Sequence, residues 1–220
     1  MGIKEAISAR HMVRKYTDRP IPADIVAKLN ARIEEINKKY GVNIALVTNV
    51  ELSPIWGIIR LFRAKGVKNY LVLSGPDISN IEELLGYTGI ALVLYAQTIG
   101  LNSWWIGGTY SKSAARRNCE GTVLNGIIAV GYGASQGVPH KSKTPEEVSR
   151  YDGNAPEWFT NGVNATLLAP TALNKQNFMI VGKGNEVSIT CDNGRWSNTD
   201  LGIVKYHFEV GAGKENFTWK

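Results

Sequence analysis

Apolar residues recur at helical spacing from the start of the chain, with Ile3, Ala6 and Ile7 on one face and Arg10 following on it. The spacing predicts a short first helix that delivers Arg10 and His11 at its C-terminal end. Residues 17–22 contain two prolines and read as extended chain. Pro22 then opens a second helix, because a first turn leaves its N–H groups unpaired and proline has none. Ile25, Val26, Leu29, Ile33 and Ile36 form its apolar face, while Glu34–Lys38 and Glu35–Lys39 are spaced to pair on the wet side. Runs rich in Val, Leu and Ile at 43–48 and 67–73 predict strands, the second ended by Ser74, Gly75 and Pro76.

Residues 89–101 are apolar nearly all round, which predicts a helix buried on every side. Gly89, Ala91 and Ala96 are small enough to let another helix approach closely. Residues 127–133 read as a short buried strand ending in glycines. The polar, proline-containing stretch 134–156 reads as a boundary between two halves. Beyond it the order repeats: a helix over 157–168, strands at 178–181 and 187–191, and an apolar run from Asp200. That run is ambiguous by period, since Val204, Tyr206, Phe208 and Val210 alternate while Leu201, Val204 and Phe208 fit a helix. Asp200 as an N-cap favours the helix, as does the likeness of this run to residues 87–101.

Composition narrows the class. With 220 residues, 44% hydrophobic and 20% charged, the chain suits one sizeable domain or two small ones sharing a core. No stretch reaches the roughly 20 apolar residues needed to span a bilayer, and no secretory start is evident. Two cysteines, Cys119 and Cys191, have no Cys or His at metal-ligand spacing and fit a reducing compartment. A cytoplasmic, non-membrane protein is expected. The net charge of +6 is scattered and comes without finger or RNP-like motifs, so nucleic acid is not an expected partner. It also suits an enzyme that draws in phosphorylated cofactors. His207 lies in an apolar periodic run and reads as a core histidine.

Four constellations could carry chemistry. Arg10, His11, Met12 and Arg14 place two guanidiniums on a helix-ending turn, where they can grip a phosphate or simply be solvated. Lys141 and Lys143 alternate on extended chain after His140, as a second basic arm or a common loop. Ile106, Gly107 and Gly108 follow Trp104 and Trp105; the glycines let backbone N–H groups approach a flat ligand, although the tryptophans are as readily core. Pro170, Thr171, Ala172, Asn174 and Gln176 offer amide donors and acceptors on a turn.

Together these resemble the flavin-dependent nitroreductase family. The run ending at Gln176 is similar to its A-P-S-A-x-N-x-Q-P-W element, and RHMVRKY is similar to its N-terminal arginine motif. Met12 replaces a usual Ser, and Asn177–Phe178 replace Pro-Trp. In one-domain members the amide element follows the arginine motif after about one helix and reaches the flavin of the other subunit. Here it lies in the second half, and the equivalent region near 38–45 lacks it. Each half thus keeps what the other has lost.

The resemblance implies an α+β fold with a central, mainly antiparallel sheet, flanking helices and two pseudo-repeated halves, 1–140 and 141–220, in one compact unit. It further implies one FMN per chain between the halves. The phosphate and ribityl chain would lie at Arg10, His11, Met12, Arg14, Lys141 and Lys143, the ring at Ile106–Gly108, and the pyrimidine edge at Pro170, Thr171, Ala172, Asn174 and Gln176. The implied activity is ping-pong transfer of hydride from NADPH or NADH, through FMN, to a nitroaromatic or quinone-like small molecule, with no catalytic side chain. A flavin-binding protein without turnover is the alternative, and a monomer mimicking the family dimer is the expected assembly.

Overall fold

The computed structural model describes residues 1–51, 53–55 and 64–220. Helix α1 (Ile3–Ala9) ends at Arg10, whose φ of −74° and ψ of 121° turn the chain into extended conformation. Helix α2 (Ala23–Tyr40) starts after Pro22 and stops at Gly41, where a φ of 66° closes it with a left-handed residue. Leu29, Ile33 and Ile36 are its buried face, as the apolar spacing requires. The wet-side pairs differ from expectation. Among the described residues α2 carries Asp24–Lys28 and Arg32–Glu35 ion pairs, because Glu35 turns back to Arg32 at 2.5 Å rather than forward to Lys39.

Strands β1 (Ala45–Val47), β2 (Tyr70–Gly75), β3 (Asn102–Ile106) and β4 (Val123–Gly131) form a sheet in the order β1-β2-β4-β3, antiparallel throughout. Between them run helix α3 (Ile81–Thr98) and the short α4 (Lys112–Arg116). The second sheet, β5-β6-β7-β8, comprises Ser149–Asp152, Phe178–Lys183, Glu186–Cys191 and Thr218–Trp219. Its central pair is antiparallel and its outer pairs are parallel. The α+β class and the flanking helices follow the sequence reading, with the strands divided between two sheets. The stretch 134–156 is more than a linker. It forms α5 (Pro145–Val148) and then β5, which carries the chain onto the edge of the second sheet.

Helix α6 (Glu157–Thr166) and helix α7 (Ser197–Ala212) complete the frame. Helix α7 starts earlier than expected, with Trp196 at its N-cap, so Asp200 sits in its first turn. The first sheet is buried on both faces. Leu71, Leu73 and Ile128 join the main core with α2 and α3, while Tyr70, Val72, Trp104, Ile106 and Ile127 face a second cluster with Val13 and Tyr16. The second sheet buries one face, placing Phe178, Ile180, Val187 and Ile189 beneath Phe159 and Phe208. One apolar core therefore contains residues from both sides of position 140. Helices α3 and α7 cross at its centre. The glycines at the crossing are Gly86 and Gly202, whereas Gly89 makes room for the indole of Trp105. No helix among the described residues is long and apolar enough to cross a membrane.

Candidate functional site

Helix α1 does not stay with the sheet that follows it in sequence. Ala6 and Ile7 pack with Leu94 and against Ala165 of α6, Leu168 just past it, and Tyr206 and Val210 of α7. Arg10, one residue past α1, consequently enters the protein beside the end of α6. Its side chain is 5% exposed, and Nη2 donates to the carbonyl of Leu168 at 3.3 Å. Carbonyls just past a helix lack intrahelical partners and favour a nearby cation. Burial lowers the Arg10 pKa to about 10, which leaves it protonated at neutral pH. Its Nε–H is buried with no partner in the protein.

The adjacent carbonyl, of Leu167, gathers the basic arm and the amide element. It accepts from His140 Nε2 at 3.0 Å, Ser142 Oγ at 3.0 Å and Gln176 Nε2 at 2.7 Å. The far end of the Gln176 amide accepts from the Lys143 backbone N–H at 2.7 Å. Lys143 Nζ donates to the Gln176 carbonyl at 3.0 Å, and Asn174 Nδ2 donates to the Lys141 carbonyl at 2.7 Å. The basic arm and the amide element are thus stitched together, and Arg10 joins them through the neighbouring peptide. His11 is half-buried beside them; burial, then the charges of Arg10 and His140, lower its pKa.

The amide element holds a demanding backbone. Leu173, Asn174 and Gln176 have φ of 54°, 56° and 49°. Left-handed non-glycine residues cost on the order of 1–3 kcal/mol each and persist where their surroundings over-determine them. Here Thr171 Oγ1 accepts from Gln176 N–H at 3.1 Å, and both Asp200 oxygens accept from Ala172 N–H at 3.0 Å. Burial raises the Asp200 pKa to about 6, opposed in part by the Ala172 N–H. Pro170 is half-buried and Asn174 exposed.

The remaining motifs complete a circuit. Met12 pairs with Ser103, and Val13 N–H donates to the Ser103 carbonyl at 3.1 Å, which lays the arginine motif along β3. Arg14 lies over the ring of Trp104, 5.5 Å from its centroid, and Met12 directs a 45% exposed side chain outward. The two guanidiniums therefore occupy different settings, Arg10 in the interior and Arg14 on β3. Strand β3 ends at buried Ile106, and the Gly107–Gly108 turn follows it. A Cβ on Gly107 would lie 2.9 Å from Nε1 of Trp196, and one on Gly108 3.6 Å from its Cζ2. Trp196 caps α7, whose first turn supplies Asp200 to the amide element. All four sequence motifs are connected in this way. The linking residues His140, Ser142, Asp200 and Trp196 carry no spacing signal that marks them in the sequence, although His140 opens the basic arm.

Comparison with known proteins adds an independent line. The family model described as "Putative TM nitroreductase" matches residues 2–212. The crystal structure of a "putative nitroreductase" from Thermotoga maritima superposes with a TM-score of 0.68 at 22% identity, covering 98% of this chain and 85% of that one. A "putative nitroreductase in complex with FMN" from Desulfovibrio desulfuricans gives 0.52 at 15% identity, over 71% of this chain and 98% of its own. An FMN complex from Exiguobacterium sibiricum, named in the same way, gives 0.54 at 13%, over 67% and 95%. At these identities the structural likenesses establish the fold. No curated protein sequence matches the chain.

Proposed function

Because the chain belongs to the nitroreductase family over residues 2–212, we propose that this oxidoreductase holds one FMN between its two halves and reduces small nitroaromatic or quinone-like acceptors with NADH or NADPH. One observation carries the reading. Arg10 and Gln176, from motifs in opposite halves of the chain, bond to the successive carbonyls of Leu168 and Leu167. A site assembled from both halves is what a flavin shared between two family subunits would require of one polypeptide.

The residues fit the phosphate end of FMN. The Arg10 Nε–H is a buried donor without a protein partner, and a buried donor left unmatched is costly enough that a phosphate oxygen is a fitting acceptor. His11, Arg14, Lys141 and Lys143 bring further donors to the same circuit, and the Met12 backbone spaces them. Ile106, Gly107 and Gly108 offer backbone to the flat ring, and Pro170, Thr171, Ala172, Asn174 and Gln176 offer polar edges. When bound, FMN supplies the redox chemistry, accepting two electrons from the nicotinamide and passing them to the acceptor. The protein's part is position and electrostatics.

Reconstituting the purified chain with FMN and following NADH or NADPH consumption with menadione tests the reading. Steady oxidation with parallel double-reciprocal lines is expected, since donor and acceptor take turns at one site. Intersecting lines overturn the alternating order, and tight FMN binding without turnover leaves a flavin-binding protein instead. Free, half-buried Cys119 and Cys191 and the use of NAD(P)H suit a cytoplasmic setting.

A further inference from the structure

Trp196 is placed unlike the other described tryptophans. Trp104, Trp105, Trp158 and Trp219 belong to or pack against the apolar clusters, whereas among the described residues Trp196 joins none of them. It stands half-buried at the head of α7, after the exposed run Asp192–Arg195. Its indole lies against the glycine turn, with Nε1, Cδ1 and Cε2 at 2.9, 3.4 and 3.4 Å from the position a Gly107 Cβ would take. Glycine at 107 is what allows so close a seat.

Hydrogen bonds fix the chain on both sides of Trp196, whereas its indole makes none among the described residues. Ser197 Oγ donates to Asp192 at 2.6 Å, Gly194 N–H donates to Ser197 Oγ at 2.7 Å, and Asn177 Nδ2 donates to Asp192 at 2.9 Å. The indole itself is held by the turn and by the Arg195 guanidinium, 5.2 Å from its centroid. Carbon atoms in contact sit about 3.5–4 Å apart, so a second flat ring between turn and indole would need a gap of about 7 Å. The seat accommodates one aromatic ring at a time.

Building on the flavin reading above, we propose that Trp196 is a displaceable cover of the Gly107–Gly108 turn, and that a flat cofactor ring reaches the turn by exchanging places with the indole. Capture of the ring then trades one aromatic contact for another. Because the covered form competes with binding, the apparent affinity is reduced by the fraction of molecules covered. The same exchange favours ligands with a broad flat face over a phosphate or sugar alone.

Flavin-stripped protein, titrated with FMN by flavin fluorescence, tests this in two readouts. Trp196→Ala is expected to bind FMN about three- to tenfold more tightly than wild type, with Trp196→Phe between them. In protein labelled with 5-fluorotryptophan, the fluorine resonance that Trp196→Phe removes should shift when FMN binds to wild type. Equal or weaker binding by Trp196→Ala overturns the cover, weaker binding meaning that the indole is a platform for the ring. An unmoved Trp196 resonance in FMN-saturated protein also overturns it. Failure of wild type to bind FMN at all removes the flavin reading and this proposal together, so the two failures are distinguishable.

Discussion

Gly86 and Gly202 stand in a reciprocal relationship at the crossing of α3 and α7. A Cβ on Gly86 would run into the carbonyl of Thr199, three residues before Gly202. A Cβ on Gly202 would run into the carbonyl of Glu83, three residues before Gly86. Gly86 lies five residues past Ile81 at the start of α3, and Gly202 five residues past Ser197 at the start of α7. Each helix thus presents the same position to the same part of the other. Two-fold contacts have this form, residue i meeting j while j meets i. Such reciprocity is what two pseudo-repeated halves would present.

Gly202→Ala follows directly. The added methyl meets backbone, which cannot rotate aside, so the helices must separate at the centre of the core. Overpacking of this kind costs about 1–3 kcal/mol, and Gly86→Ala should cost a similar amount. Urea midpoints measure both. Wild-type midpoints would show that the crossing does not depend on these glycines.

Arg10→Lys separates charge from geometry. Lysine keeps the positive charge but loses the planar fork and the Nε–H. We expect FMN affinity to fall roughly tenfold or more in both Arg10→Lys and Arg10→Ala, since charge-assisted bonds are worth about 1.5–3 kcal/mol. Arg10→Ala should also lose stability, because the Leu168 carbonyl loses its donor. Fluorescence titration with FMN and a urea curve give the two numbers separately. Undiminished FMN binding in Arg10→Ala would remove this residue from the phosphate site.

The elements most legible in the sequence are those with a one-sided apolar pattern. Leu29, Ile33 and Ile36 mark α2 clearly, and Ile3, Ala6 and Ile7 deliver Arg10 to the end of α1. Strand β3 was hidden because its burial on both faces leaves Asn102–Ile106 without alternation. Strand β5 was hidden because its register depends on β6, about 30 residues further on. The early start of α7 has no apolar signal in Ser197, Asn198 and Thr199. Asp200, a plausible cap by sequence, is instead drawn to Ala172. In the site, the charged and amide residues were legible by type. Their convergence on Leu167 and Leu168 was not, since a backbone carbonyl has no sequence signature.

His207 gives a pH prediction. It is fully buried, its ring bonds to the Ile203 carbonyl at 2.9 Å, and burial pushes its pKa from 6.5 down to about 3. Between those values the unfolded imidazole takes a proton that the folded one does not. The folded state is therefore unpenalised above pH 6.5 and loses stability as pH falls toward 3. By pH 5 the loss from this residue is about 2 kcal/mol. Asp200 acts in the opposite sense, because its raised pKa makes the folded state bind the extra proton between 3.8 and about 6. The His207 contribution is best read as a difference. His207→Asn, which can still donate toward Ile203, should lose less stability than wild type between pH 7.5 and 5 in urea melts. Parallel losses would show that His207 is protonated in the folded state.

Assembly provides the last test. Two identical subunits related by a two-fold axis must build two equivalent sites. In this chain the arginine motif occurs once, before α2, and the amide element once, after α6, so the proposed flavin site would use both. The crossing of α3 and α7 is completed within the chain by Gly86 and Gly202, and Ile203, Val204 and Phe208 are buried there without a second subunit. No large apolar face of these helices remains to drive association. We therefore expect a monomer with one FMN per chain. Asn174→Ala, which removes the donor to the Lys141 carbonyl, should weaken the same flavin that Arg10 anchors in the other half. Light scattering of the FMN-loaded protein gives the mass, and flavin absorbance against protein concentration gives the ratio. An obligate dimer, or two FMN per chain, would mean that the halves do not share one site.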